Sequence, residues 1–571
     1  MNANAFLLPI ARVARFKLLL VLALSFVTSP AMAQPPSASA VASAHPLATQ
    51  AGIDILKAGG NAFDAAVAVT ATLAVVEPSG SGIGGGGLWL LHEHRKHKEV
   101  MIDGRETAPG AASRDMYLDS QGNAITALSM DGPLSAAIPG VPAALAHIAK
   151  KYGRLPLTIT LAPAIKIAKE GFPVDERYRG LALMRKDVLN RYPASAQLFL
   201  LNGEVPPAGH VIVQRDLANT LTAIAKNGSG GFYRGAVAKK LVDEVQKSGR
   251  IWTMQDLANY RIVEREPIRA VYKGIKITTA APPSSGGIAL VDALNILSAY
   301  DLEKMSRATQ SHTVVEALRR AFRDRALYLG DPDFVQAPIS LLTSPMYAAG
   351  QRTTLHLDKA TPSSTLTGID ALKEGFHTTH FSILDQSQNR VSATVTVNYA
   401  FGSAYVVPGT GVLLNDEMDD FSVKPGVPNS YGLVGAEANS IAPNKRPLSS
   451  MSPTLLDGPN GIAVLGTPGG SRIISTVLLG ILDYARGQKP DSWVSQKRFH
   501  HQYLPDQIQF ETGAFDEETS AALQFMGHEL AEIKSPYGNM QAILWDKTKN
   551  AVYAASDPRG VGLAIVQDVK K

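Results

Sequence analysis

The sequence predicts an α/β protein in which stacked β-sheets are flanked by helices, and three observations lead there. Val391, Ala393, Val395 and Val397 alternate with Ser392, Thr394, Thr396 and Asn398, the period-two mark of a strand. From Pro142 to about Tyr347 the chain reads as mostly helical with short strands, Val314, Val315, Leu318, Phe322 and Leu329 recurring at near-helical spacing. Beyond it strand character rises, with buried strands predicted at 411–414 and 462–465. At 571 residues, 45% apolar and 18% charged, the composition is that of a folded chain with a large core and room for more than one domain.

Taken in order, Arg12, Arg15 and Lys17 precede the apolar run 18–24, and Ser29-Pro30-Ala31-Met32-Ala33 offers small-residue cleavage chemistry. Residues 1–33 read as a signal peptide, too short in its apolar part to span a bilayer, so the mature chain is expected to be periplasmic or secreted. No later run has the length of a membrane span. The net charge of +5 includes three leader cations, which leaves about +2 for the rest and gives no support to nucleic-acid binding. With no cysteine, disulfides, thiol catalysis and cysteine-zinc sites are excluded.

Residues 34–44, rich in Ser, Ala and Pro, read as a flexible mature terminus. Residues 47–76 predict two helices broken at Gly59-Gly60, the second starting near Asn61. The glycine run 80–87 begins with a G-x-G-x-x-G match, but a helix precedes it and a strand follows, the reverse of the dinucleotide motif. It reads as a tight helix-to-strand connection. His92, His94 and His97 are not H-E-x-x-H and fit a solvated hairpin turn, so no metal is expected. Arg319, Arg320, Arg323 and Arg325 read as the wet face of a helix. Residues 271–277 read as one strand leading to the loop 282–287, and 352–375 as a mobile connection. A helix over 473–484 and a hairpin of 540–545 with 551–555 complete the chain, and no strong internal repeat is present.

Residues 376–382 and 391–398, joined by the polar segment 385–390, read as a β-hairpin. Thr396 and Asn398 point the same way, and counting back through the turn sets Thr378 opposite that strand end. Threonine is common in strands, so this placement alone assigns no chemistry.

Longer runs carry a resemblance. Thr378-Thr379-His380-Phe381-Ser382, Asn415-Asp416-Glu417-Met418-Asp419-Asp420-Phe421-Ser422, Lys445-Arg446-Pro447-Leu448-Ser449-Ser450-Met451 and Gly466-Thr467-Pro468-Gly469-Gly470-Ser471-Arg472 stand in this order. With Asp103-Gly104-Arg105-Glu106, the 282–287 loop and Leu329-Gly330-Asp331-Pro332 they resemble the γ-glutamyltranspeptidases, which are N-terminal-nucleophile hydrolases. The similarity covers nearly everything after the leader. It implies the four-layer αββα fold, as one heterodimeric globule formed from a self-cleaved precursor. Residues 34–377 would be the large subunit and 378–571 the small, catalytic one.

The resemblance further implies that Thr378, once freed at its amino end, is the nucleophile, with Thr396 orienting it and Gly469 and Gly470 as the oxyanion hole. An α-amine suits the part of base because its pKa lies near neutrality. Arg105, Ser449 and Ser450 would hold the α-carboxylate of a γ-glutamyl group, and Asn398, Glu417 and Asp420 its ammonium. Tyr431, within 428–435, would belong to a lid. The expected substrates are glutathione and other γ-glutamyl compounds, with amino acids, peptides or water as acceptors. No cofactor, metal, nucleic acid or membrane partner is expected once the signal is removed. A cephalosporin or glutaryl acylase with the same threonine chemistry is the alternative, and a non-catalytic periplasmic binding protein of the same fold the remaining one.

Overall fold

Two β-sheets face each other between two layers of helices in a computed structural model that describes residues 34–248, 251–366, 378–427, 429 and 433–568. The strands of these two sheets, in chain order, are β1 (Ala38–Ser43), β2 (Gly86–Glu93), β3 (Lys98–Gly104), β4 (Val263–Arg265), β5 (Ile268–Tyr272), β6 (Ile275–Thr279), β7 (Thr379–Leu384), β8 (Arg390–Thr396), β9 (Thr454–Gly458), β10 (Gly461–Gly466), β11 (Gln541–Asp546), β12 (Ala551–Ser556) and β13 (Leu563–Asp568). The first sheet runs β13-β1-β7-β8-β2-β3-β4 and the second β12-β11-β10-β9-β6-β5. The principal helices are α1 (Pro46–Lys57), α2 (Ala62–Val76), α3 (Gly286–Leu297), α4 (Arg307–Tyr328) and α5 (Arg472–Ala485).

Alternation along the strands assigns the layers. Val41, Trp89, Leu91, Phe381, Ile383, Val391, Ala393 and Val395 share a core with α2. Their neighbours Ala40, Ala42, Leu88, Leu90 and Leu384 share another with the second sheet and with α3, α4 and α5. The order helix, sheet, sheet, helix is therefore the αββα arrangement. Burying each large apolar side chain contributes about 1.5–3 kcal/mol, so this two-sided packing is the main force holding the sheets together. Between them lies a polar seam from the other face of β7 and β8. The Ser392 hydroxyl donates to Leu465 O at 3.0 Å and the Ser382 hydroxyl to Gln541 O at 3.0 Å.

Asn61 ends the helix break as the glycine pair predicts. Its side chain accepts from the Phe63 and Asp64 N–H groups, and Asp64 accepts from the Asn61 N–H, a reciprocal cap on α2. The glycine run then brings the chain hard against β8, where a Cβ on Gly85 would stand 1.9 Å from Thr396 O.

Four expectations need correction. Residues 38–43 are not a flexible terminus; they form β1, buried throughout, with Ala42 paired to both Ala564 and Ser382. Short Ala and Ser side chains suit a strand enclosed on every side. The strand over 271–277 is two strands, β5 and β6, because Lys273 and Gly274 at φ of 46° and 81° make the turn between them. The arginines of α4 are not a wet face. Arg319, Arg320 and Arg325 are buried, and Glu316 pairs with the first two. Those same arginines pin the described part of the 352–375 connection, Arg319 donating to Ser363 Oγ and Arg320 to Thr354 O. The remainder, 367–375, lies outside the described residues, as does the leader.

Candidate active site

Thr378 stands at the head of β7 and is 6% exposed. One step beyond the Thr379–Val395 pair sets it opposite Thr396, as the alternation predicts. Thr396 Oγ1 accepts a 2.7 Å bond from the Asn398 N–H, and Asn398 Nδ2 donates to Asp416 O at 3.0 Å. Asn398 has a φ of 75°, a left-handed conformation that asparagine tolerates better than most residues. The chain thereby turns out of β8 with its amide facing the next segment.

The loop after β10 reaches the same place from the second sheet. Gly469 and Gly470 have φ of 136° and 55°, which few other residues adopt, and α5 begins two residues on. The Gly469 N–H donates to Thr378 Oγ1 at 3.1 Å. A helix start with unpaired N–H groups favours negative charge nearby. Thr378 thus accepts a bond from a glycine amide at a position suited to a developing oxyanion.

Opposite lies a cluster of charge. Arg105, 1% exposed, donates from Nη1 to Glu417, from Nη2 to Asp420 and from Nε to Pro447 O at 3.1 Å. Glu106 approaches Arg105 Nη1 at 3.6 Å, and neither of its carboxylate oxygens has a hydrogen-bond partner among the described residues. Burial pushes the Glu417 carboxyl up to about 7, with Arg105 pulling the other way. Burial likewise raises Asp420, against the pull of Arg105. Ser449 and Ser450 reach the cleft because the 282–287 loop grips them: the Ser449 N–H donates to Pro283 O, and the Ser285 N–H and hydroxyl both donate to Ser449 O. Ser449 Oγ accepts from the Met451 N–H at 3.1 Å, while Ser450 Oγ is buried without a partner among the described residues.

Arg105, Thr378, Thr396, Asn398, Glu417, Asp420, Ser449, Ser450 and Gly470 line one cleft, and Gly469 lies against Thr378 at its edge. Tyr431 lies outside the described residues. Its neighbours border the site, Leu433 lining the cleft and Asn429 Nδ2 donating to Asp420 Oδ1 at 3.3 Å. The cleft has one further polar member that sequence reasoning missed, Arg325 on α4. A signal existed: Arg325 follows Leu318 and Phe322 by two turns and one turn, on the apolar stripe. Counting charges placed it in water; helical phase places it inside.

Among the described residues, one group could hold a metal ion: His312, Glu316 and His528, with ligand atoms within 4.8 Å of one another. Glu316 is engaged by Arg319 and Arg320, and His312 Nδ1 and His528 Nε2 bond each other at 2.7 Å, so the donors are already satisfied. The histidines at 92, 94 and 97 surround the turn between β2 and β3.

The four layers, with a threonine heading a central strand beside a glycine amide, define an N-terminal-nucleophile hydrolase fold. The family model described as gamma-glutamyltranspeptidase matches residues 48–567, and the chain belongs to that family. It is 43% identical over 530 residues to the glutathione hydrolase proenzyme of Escherichia coli, covering 91% of this chain and 90% of that protein. Its identity to the glutathione hydrolase proenzyme of Pseudomonas aeruginosa is 40%, over 95% and 97% of the two chains. Among solved structures, a cephalosporin acylase from Bacillus halodurans superposes with a TM-score of 0.81 at 29% identity, over 93% of this chain and 96% of that one. The gamma-glutamyltranspeptidase of Helicobacter pylori superposes at 0.55 and 39% identity, over 57% of this chain and 93% of that one.

Proposed function

We propose that this chain is a self-processing γ-glutamyltransferase that cleaves the γ-glutamyl amide of glutathione and related compounds and passes the glutamyl group to amino acids, peptides or water. One observation carries the reading: Thr378 Oγ1, bonded by the Gly469 N–H, opens on a cleft that holds both an arginine and a pair of carboxylates. In maturation the Thr378 hydroxyl attacks the carbonyl of His377. The C–N bond breaks, an ester and a free amine form, and water releases the ester. Residues 34–377 and 378–571 then remain as large and small subunits. The Helicobacter pylori chain, almost wholly matched by 57% of this one, is close in extent to the larger piece, which supports that division.

In turnover the new amine takes the hydroxyl proton, Thr378 attacks the γ-carbonyl, and the amine product leaves with a proton. An acceptor amine or water then resolves the γ-glutamyl ester. Gly469 and Gly470 N–H groups hold the oxyanion, where loss of one donor costs on the order of 10²–10³ in rate. Arg105, Ser449 and Ser450 bind the α-carboxylate, Asn398, Glu417 and Asp420 the ammonium, and Thr396 orients the nucleophile. The family relatives named as glutathione hydrolases are more similar in sequence than the named acylase, and the acidic pair has no partner in a glutaryl chain. Among the described residues no helix is long and apolar enough to cross a membrane, and residues 1–33, read as a signal peptide, make the chain periplasmic or secreted. Hydrolysis of γ-glutamyl and glutaryl 4-nitroanilides tests the reading. A higher kcat/KM on the γ-glutamyl compound is expected, and a glutaryl preference would overturn it.

A further inference from the structure

Arg325 sits on α4 with 5% of its surface exposed, and the hydrogen bond of its side chain to another residue is Nε to Ser285 Oγ at 3.1 Å. Among the described residues, none of its four Nη–H groups has a partner and no carboxylate lies within ion-pair distance. The side chain nevertheless lines the Thr378 cleft, beside Asp420, Leu433 and Ser450. A guanidinium that gives up water without a partner is costly, so such a group implies something that comes to meet it.

The rest of the cleft says what. Arg105, the other cation, already meets Glu417, Asp420 and Pro447 O. An incoming carboxylate has to displace one of those acids to reach Arg105, but it meets open donors on Arg325 and an unpartnered hydroxyl on Ser450. Arg325 feels the charge of Asp420, a member of the acidic pair that the donor-site reading assigns to the ammonium, which sets it on the donor side of the cleft. The planar fork of arginine matches a carboxylate in two parallel bonds.

We infer that Arg325 is a specificity-determining residue of the donor pocket, binding with Ser450 the carboxylate at the far end of the acyl chain. The inference rests on the donor-site reading above and adds to it a second arginine. Through Ser285 Oγ, which donates to Ser449 O, Arg325 also braces the serine pair, and the test must separate these parts.

L-Glutamate and 4-aminobutanoate differ only by the α-carboxylate, so their inhibition constants against γ-glutamyl 4-nitroanilide read that contact. In Arg325→Gln, KM for the anilide and the inhibition constant of L-glutamate are expected to rise about tenfold or more, as for a lost charge-assisted contact. The constant for 4-aminobutanoate stays within about twofold and kcat within about threefold on the same basis. Arg325→Lys, which keeps charge but not the fork, falls between and carries the comparison if the glutamine variant does not fold. Ser285→Ala removes the brace and the Nε contact but keeps the guanidinium and its Nη–H groups, and leaves the ratio of the two inhibition constants as in wild type. An unchanged KM, or an equal rise for both inhibitors, overturns the assignment. Glutaryl 4-nitroanilide carries the same carboxylate, so its KM tests Arg325 separately: wild type that cleaves only this compound sinks the γ-glutamyl reading and not the arginine.

Discussion

At Thr378 the hydroxyl accepts from the Gly469 amide, which leaves its own proton for a base. His380, two residues on, is unsuited: burial lowers its pKa to about 3, and its Nδ1 already bonds Thr394 at 2.8 Å. The α-amine that the proposed cleavage would release, with a pKa near 8, is the better candidate. Thr378→Ala is therefore expected to leave the chain uncut and inactive, read as a single band on a denaturing gel with no anilide hydrolysis, whereas Thr378→Ser keeps processing. Fragments from the alanine variant would point to an external protease. Glu417 makes a separate prediction. Its carboxyl titrates near 7 in the fold instead of 4.5, so it is neutral below that pH and ionised above it. If it receives the substrate ammonium, kcat/KM climbs as pH rises through about 7, and Glu417→Gln removes that limb and lowers the plateau. The sign for stability is opposite. A folded value above the unfolded one stabilises fully below the unfolded pKa and is lost as pH rises through the folded one, so Glu417 favours the fold below about pH 4.5. The variant should thus narrow the difference in thermal midpoint between pH 4.5 and pH 8.

Elements that obey one clear period were legible in the sequence, and those set by distant partners were not. The hairpin of β7 and β8 follows from alternation and a polar turn, and register alone brings Thr378 to Thr396. Helix α4 misled because four arginines suggest a solvated face, yet its partners are Glu316 on the same helix and Asp506 and Ser363 far along the chain. The 34–44 segment misled because its composition is that of a linker, and the strand it pairs with at Ala564 lies over 500 residues away. The Gly466 position shows how tightly the sheets then meet. A Cβ there would fall 2.2 Å from the His380 ring, between β10 and β7, with no flexible chain end to move. Gly466→Ala is expected to cost about 1–3 kcal/mol by overpacking, read as a lower denaturation midpoint, and His380→Ala in the same chain should restore part of it. Equal midpoints for wild type and Gly466→Ala would mean that the seam yields more readily than its contacts imply.

Across the whole molecule, the proposed cut between residues 377 and 378 falls in a chain whose two parts are woven together. Strand β1 lies between β13 and β7, β2 pairs with β8, and β6 pairs with β9, so four strand pairings join residues before the cut to residues after it. Both sheets, and both cores that flank the first sheet, are built from the two parts jointly. Ladder hydrogen bonds and apolar burial dominate this junction, and neither is screened by salt as exposed ion pairs are. Cleaved protein is therefore expected to elute as one species in gel filtration from low salt to about 1 M, where the screening length is near 3 Å. The fragments should separate only in denaturant, in a transition coincident with loss of activity. Deleting residues 34–43 removes β1 from between β13 and β7 and leaves both without that partner, so that chain should be unprocessed and prone to aggregate. A truncated chain that still matured and turned over substrate would show that Thr378 is held by the hairpin and the second sheet alone.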